Sequence, residues 1–173
     1  KHPQPAIVDF TGSARFGAWV EANAHPALCY SETSGVNTVV VESVAQLEPV
    51  LKSLATTMSL FSAQMCTSPQ NVYVPRDGVR HAGGRIGADE FGAALAQAIA
   101  SIAADPKRAA PIMAAIQSSS TPALIDQLAD EGSRRGRVLQ QSAPYAHPDF
   151  PSARTRTPLL IGVEAGAQDL YGE

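Results

Sequence analysis

The chain has 173 residues, 45% hydrophobic and 17% charged, a balance that suits a folded domain, or a domain plus part of a second, with a core of its own. Its formal charge of −3 offers no basic face for nucleic acid, and "RRGR" (134–137) is too short to supply one. No apolar run reaches the roughly 20 residues a membrane helix needs, and two cysteines in unlike contexts make no disulfide framework, so a reducing, cytoplasmic compartment and no membrane partner are expected.

Residues 5–10, "PAIVDF", are an apolar run of β-formers, followed by "TGS". Gly12 suits the positive φ of a tight turn, and Ser13 is a good N-cap for the helix "ARFGAWVEANA" (14–24). Ala14, Phe16, Trp19 and Val20 are expected to line its packed side. His25-Pro26 ends that helix, and "ALCYSE" (27–32) reads as a second strand. Such a strand-turn-helix-strand unit is the material of a parallel α/β sheet.

Gly35 marks a turn, and Thr38 to Val41 form a β-branched strand. Leu47, Val50, Leu51, Leu54, Met58, Phe61 and Met65 recur at helical spacing, which predicts one amphipathic helix ending at Cys66. Its start is open: Ser43 with Gln46 resembles a capping box, whereas Pro49 favours a later first turn. "NVYVP" (71–75) is a strand, and "RDGVRHAGGRIG" (76–87) reads as loop from its glycines. Residues 88–104 place Phe91, Leu95, Ile99 and Ile102 on one helical stripe, stopped at Asp105-Pro106. "KRAAPIMAAIQ" (107–117) is a short or broken helix because of Pro111. Thr121 as N-cap, Pro122 and Gly132 bound a further helix. "RVLQQS" (137–142) and "TPLLIGV" (157–163) are strands around a proline-rich loop.

Taken alone, Cys66 is a single cysteine near a helix, most often a small buried hydrophobe. Its polar flanks, "SAQ" and "TSPQ", and its place at the end of an element favour a thiol open to a cleft. Cys29, inside a strand, has no such flanks. Glu32 ends a strand before "TSG", where an acidic side chain is either solvated or aimed at a cleft. His25, His81 and His147 share no metal-ligand spacing, so no metal is expected. "TGS" after "IVDF" suits a phosphate at a helix N-terminus better than the glycines of "AGGRIG" do.

Taken together, "FTGSARFG", "SETSGVN" and "FSAQMCTS" resemble, in order and interval, three motifs of the aldehyde dehydrogenase superfamily. The Glu32–Cys66 separation, 66 − 32 = 34 residues, is similar to the family's spacing; Gln64, Thr67, Gly35 and Asn37 also match. Ser31, Val36, Ala63 and Ser68 depart from the usual residues, Ala63 standing where glycine is expected. The wording looks like the phenylacetic acid degradation branch.

The resemblance implies an α/β fold: residues 1–32 the tail of a Rossmann-like dinucleotide-binding domain, and 33–173 an incomplete catalytic domain with a parallel-type sheet flanked by helices. It implies Cys66 as nucleophile, Glu32 as general base, Gly12 and Ser13 against the diphosphate of NAD or NADP, and Thr33 near the nicotinamide. The partner is a small aldehyde, and the full-length parent is expected to be a homo-oligomer. The chain is expected to be a piece of a longer protein, inactive in isolation, with Glu173 in the position of an "EEIFGP"-like motif. Two other readings are a coenzyme A-acylating aldehyde dehydrogenase, which needs no water-activating base such as Glu32, and a non-catalytic α/β scaffold with an inert Cys66.

Overall fold

The computed structural model describes residues 5–164 and 166–167, so "DLYGE" with Glu173 lies outside the described residues. The chain divides into two compact units, one through Gly35 and one from Val36.

In the first unit, β1 (Ile7–Gly12) leads into α1 (Ala14–Ala24), which returns to β2 (Leu28–Thr33). The strands pair in parallel from Ile7 opposite Leu28 to Gly12 opposite Thr33. Gly12 is therefore the last residue of a strand and not the positive-φ corner of a turn, a correction to the sequence reading. Its missing Cβ serves packing, because a Cβ there would stand 2.6 Å from Cζ of the Phe10 ring. Ser13 caps α1 as expected, its hydroxyl accepting the Phe16 amide N–H at 3.4 Å. The packed side of α1 is narrower than predicted. Gly17 and Val20 are buried, whereas Phe16 and Trp19 are half exposed and stacked on each other at 5.3 Å between ring centroids. Gly17 brings helix and strand close, since a Cβ would sit 2.6 Å from Thr33 Cγ2.

In the second unit, β3 (Asn37–Val40) pairs in parallel with β4 (Pro69–Tyr73), with a shift of register after Asn37. Between them runs α2 (Leu47–Ser59). Gln46 precedes it without a side-chain cap bond, and Pro49 falls in the first turn, where its missing N–H costs nothing because first-turn amides have no intrahelical acceptor. The glycine-rich stretch is not a plain loop. β5 (Val79–His81) and β6 (Gly84–Ile86) form an antiparallel hairpin, with Gly78 at φ +93° and Gly84 at φ +126°. Gly78 admits no side chain, since a Cβ would lie 2.2 Å from the Ile86 carbonyl oxygen.

α3 (Ala88–Ala103) carries the core stripe that its periodicity predicts: Phe91, Leu95, Ile99 and Ile102 are all buried, packed with Leu51, Ala55, Met58 and Val79. Each such large side chain contributes about 1.5–3 kcal/mol on burial. α4 (Pro106–Ala109) is a single turn, capped by the Asp105 carboxylate on Lys107 N–H at 2.9 Å, so the 107–117 stretch is mostly irregular. α5 (Thr121–Arg135) begins one residue before the predicted position, with Ser120 and not Thr121 as the flanking residue. It runs on through Gly132, predicted to lie past its end, to Arg135, with Gly136 as the C-cap. Gly132 is a contact point, because a Cβ there would meet Ile161 at 2.5 Å. β7 (Arg137–Gln140) and β8 (Leu160–Gly162) pair antiparallel. Among the described residues no helix is long and apolar enough to cross a membrane, and no group of three His, Cys, Asp or Glu is placed to hold a metal ion.

Candidate active site

The register of the first sheet gathers four of the five predicted site residues. Gly12 lies opposite Thr33 and Thr11 opposite Glu32, so Gly12, Ser13, Glu32 and Thr33 share the carboxyl end of two parallel strands. This is the edge where open α/β sheets bind ligands. Strand alternation separates their roles: the Thr33 methyl packs on Gly17 of α1, while Glu32 is exposed, in line with exposed Leu28 and Tyr30. Ser31, on the helix side, has a buried hydroxyl with no hydrogen-bond partner among the described residues.

The N-terminus of α1 has the features that a diphosphate site would need. The helix has 11 residues and no acidic residue in its first turn. Ser13 is its cap, which leaves first-turn amides as donors at the positive end of the helix dipole.

Cys66 belongs to the second unit, and its surroundings differ from the prediction. The helix does not run to it. α2 ends at Ser59, and Phe61, Ser62 and Ala63 take left-handed φ values of 52°, 55° and 56°. The cause is competition for donors. A continued helix needs the Phe61 N–H on the Thr57 carbonyl; instead it donates to the Ile112 carbonyl at 2.7 Å. Ser62 Oγ donates to the Ala114 carbonyl at 2.7 Å. Gln64 Nε2 donates to the Phe61 and Ala115 carbonyls, both at 3.0 Å, and Gln64 Oε1 accepts the Gln117 N–H at 3.0 Å. Three non-glycine residues in this region cost about 1–2 kcal/mol each. Five hydrogen bonds at a net ~1 kcal/mol each offset that strain.

Beyond the turn, the Ser68 N–H donates to the Met65 carbonyl at 3.0 Å, which puts Cys66 at the second position of a tight turn. Cys66 is exposed, Cys29 half-buried, and neither is in a disulfide. Phe61 and Met65, predicted on the packed helix face, are 49% and 40% exposed because the helix has already ended. Sequence reasoning missed the irregular strut 112–117. Its only signal was Pro111, which argues against a helix without saying what the freed backbone bonds to.

The Aldehyde dehydrogenase family model matches residues 1–161. The chain belongs to the aldehyde dehydrogenase family. It superimposes on an NAD-dependent aldehyde dehydrogenase from Burkholderia multivorans with a TM-score of 0.91 and 41% identity, covering 99% of this chain and 30% of that one. A 3-succinoylsemialdehyde-pyridine dehydrogenase from a Pseudomonas species is 34% identical over 76 residues, 43% of this chain and 16% of its own length. An NADP-dependent glyceraldehyde-3-phosphate dehydrogenase from Bacillus halodurans, solved with NADP, shares the fold at a TM-score of 0.68 and 19% identity, over 91% of this chain and 30% of that one. The chain thus spans less than a third of the length of these relatives. The aldehyde dehydrogenase motif that ends here in Cys66 has glycine at the place of Ala63. The left-handed φ of 56° at that position is the physical reason a glycine is preferred there.

Proposed function

We propose that this chain is a segment of an NAD- or NADP-dependent aldehyde dehydrogenase that oxidises an aldehyde to a carboxylic acid, with Cys66 as nucleophile and Glu32 as general base. One observation carries the reading: in a member of this family, an exposed cysteine follows a left-handed turn that a remote segment pins by hydrogen bonds. Backbone strain of this kind collects at functional sites. Residues 1–32 would be the tail of the cofactor domain and 33–173 part of the catalytic domain. Glu32 precedes Asn37 by 37 − 32 = 5 residues, and Asn37 bonds to the Cys66 carbonyl.

The Cys66 thiolate attacks the aldehyde carbon; a C–S bond forms and the carbonyl pair moves to oxygen. The Cys66 N–H is the chain's own donor to that oxyanion. When bound, the nicotinamide would supply the acceptor for the hydride that leaves carbon, with Gly12 and Ser13 holding the cofactor's diphosphate and Thr33 lying near the nicotinamide. Glu32 takes a proton from water as the water attacks the resulting thioester, and sulfur leaves as thiolate. The wording of the motifs, which resembles the phenylacetic acid degradation branch, supports a role in phenylacetate or related aromatic catabolism. The full-length protein would be a cytoplasmic homo-oligomer.

In the complete polypeptide, Cys66→Ser should lower aldehyde-dependent NAD(P)H formation by at least about 10³-fold. Glu32→Gln should preserve a first-turnover burst of about one equivalent while slowing steady turnover. Retention of more than about a tenth of the activity by Cys66→Ser would sink the proposal.

A further inference from the structure

Asn37 is the first residue of β3, opposite Pro69 in the parallel register, at the point where the register shifts. Proline has no N–H to give to a ladder. At this end of the sheet the Asn37 side chain supplies donors of its own. Its Nδ2 donates to the Cys66 carbonyl at 2.6 Å and to the Ser68 carbonyl at 3.2 Å. The same turn is closed on its other side by the Ser68 N–H on the Met65 carbonyl. One amide group thus fixes the peptide plane that follows Cys66, while the turn bond fixes the chain around it. A cysteine held this way has little backbone freedom, so the direction of its sulfur reduces to a single side-chain rotation.

Freed from Asn37, the Cys66 carbonyl could rotate toward the sulfur, where its negative end opposes a thiolate. The two N–H···O bonds hold both oxygens toward the start of β3. Asparagine is the residue type suited to this work. It is short, neutral and carries two donors on one nitrogen, whereas an aspartate of the same shape would point oxygen at oxygen.

We infer that Asn37 is a positioning residue for the Cys66 thiol: by gripping the Cys66 and Ser68 carbonyls it holds the nucleophile in one attack geometry. This rests on the proposed role of Cys66. A misplacement of about 1 Å at a reacting centre costs about 10²-fold in rate, so loss of the grip should appear in kcat.

The test uses the complete enzyme and four variants: Asn37→Asp, Asn37→Ser, Asn37→Ala and Cys66→Ser. Two quantities are measured, the iodoacetamide alkylation rate of Cys66 from about pH 6 to pH 10 and the split between kcat and the aldehyde KM. Asn37→Asp should cut kcat about 10- to 100-fold with KM within about twofold, and should move the thiol's titration midpoint upward. Asn37→Ser, which keeps one donor, should recover part of the loss, and Asn37→Ala should fall between Ser and Asp. An alkylation profile and kcat unchanged in Asn37→Asp overturn the inference. Should Asn37→Asp fail to fold, unchanged profiles in the Ser and Ala variants overturn it equally. If Cys66→Ser retains activity, the functional proposal is what fails. If it abolishes activity while the Asn37 variants behave as the parent, only the positioning role fails.

Discussion

The two junctions proposed to carry the chemistry are built by opposite means. At Gly12–Ser13 a strand passes into a helix with extended backbone, a side-chain cap and a ring packed over a glycine. The anion-binding character proposed for it would come from helix geometry alone, with no contribution from distant residues. At Phe61–Ala63 a helix is cut short into a left-handed turn, and every bond from the 112–117 strut that holds it there spans about 50 residues of sequence. A helix terminus is a by-product of α/β architecture; an exposed, fixed thiol has to be held in place from outside its own element.

The contrast can be broken most directly at Gln64. Gln64→Ala removes three hydrogen bonds and should destabilise the second unit by about 2–3 kcal/mol. Chemical denaturation should show this with the first unit's helix signal intact; a change below about 0.5 kcal/mol would mean the strut does not hold the turn.

Next in size is a pair of glycine exchanges expected to have opposite signs to the usual intuition. Gly12→Ala should cost about 1–2 kcal/mol, not from backbone strain but because the new methyl displaces the Phe10 ring. Ala63→Gly should stabilise by up to about 1 kcal/mol, since it relieves a left-handed alanine at the expense of some unfolded-state entropy. Thermal melts of both variants check this, and equal signs would dissolve the distinction between the junctions.

The smallest effect tests the support of the strut. Tyr145 Oη donates to the Met113 carbonyl at 2.8 Å, and burial raises its phenol above the usual 10.0. The folded chain thus holds this proton longer than the unfolded one. The stabilisation is complete below pH 10 and is lost as pH rises through the folded value. Tyr145→Phe should cost about 1 kcal/mol at neutral pH and flatten the alkaline decline in stability. A decline as steep in the variant as in the parent would assign it to other groups.

Much of the architecture was legible in the residues because it is local. Ser13, the His25-Pro26 stop and the Phe91–Ile102 stripe each act within about three turns of a single helix, and each element formed where its signal stood. Phe61 and Met65 misled for the same reason. Their spacing continued a helical period, but the Phe61 N–H donates to the Ile112 carbonyl, a long-range pairing invisible to periodicity. The β5–β6 hairpin escaped notice because three-residue strands carry too little pattern to outweigh glycine.

By itself the sequence determined the family, the α/β alternation, the cap of α1 and the two candidate reactive groups, because ordered motifs and short-range periodicity survive without coordinates. Only the tertiary structure decided that Cys66 sits beyond a left-handed turn, that the 112–117 segment pins that turn, and that Asn37 grips the cysteine's carbonyl. Those facts depend on which distant backbone donors and acceptors meet, and hydrogen-bond partners separated by 29 to 53 residues leave no periodic trace along the chain.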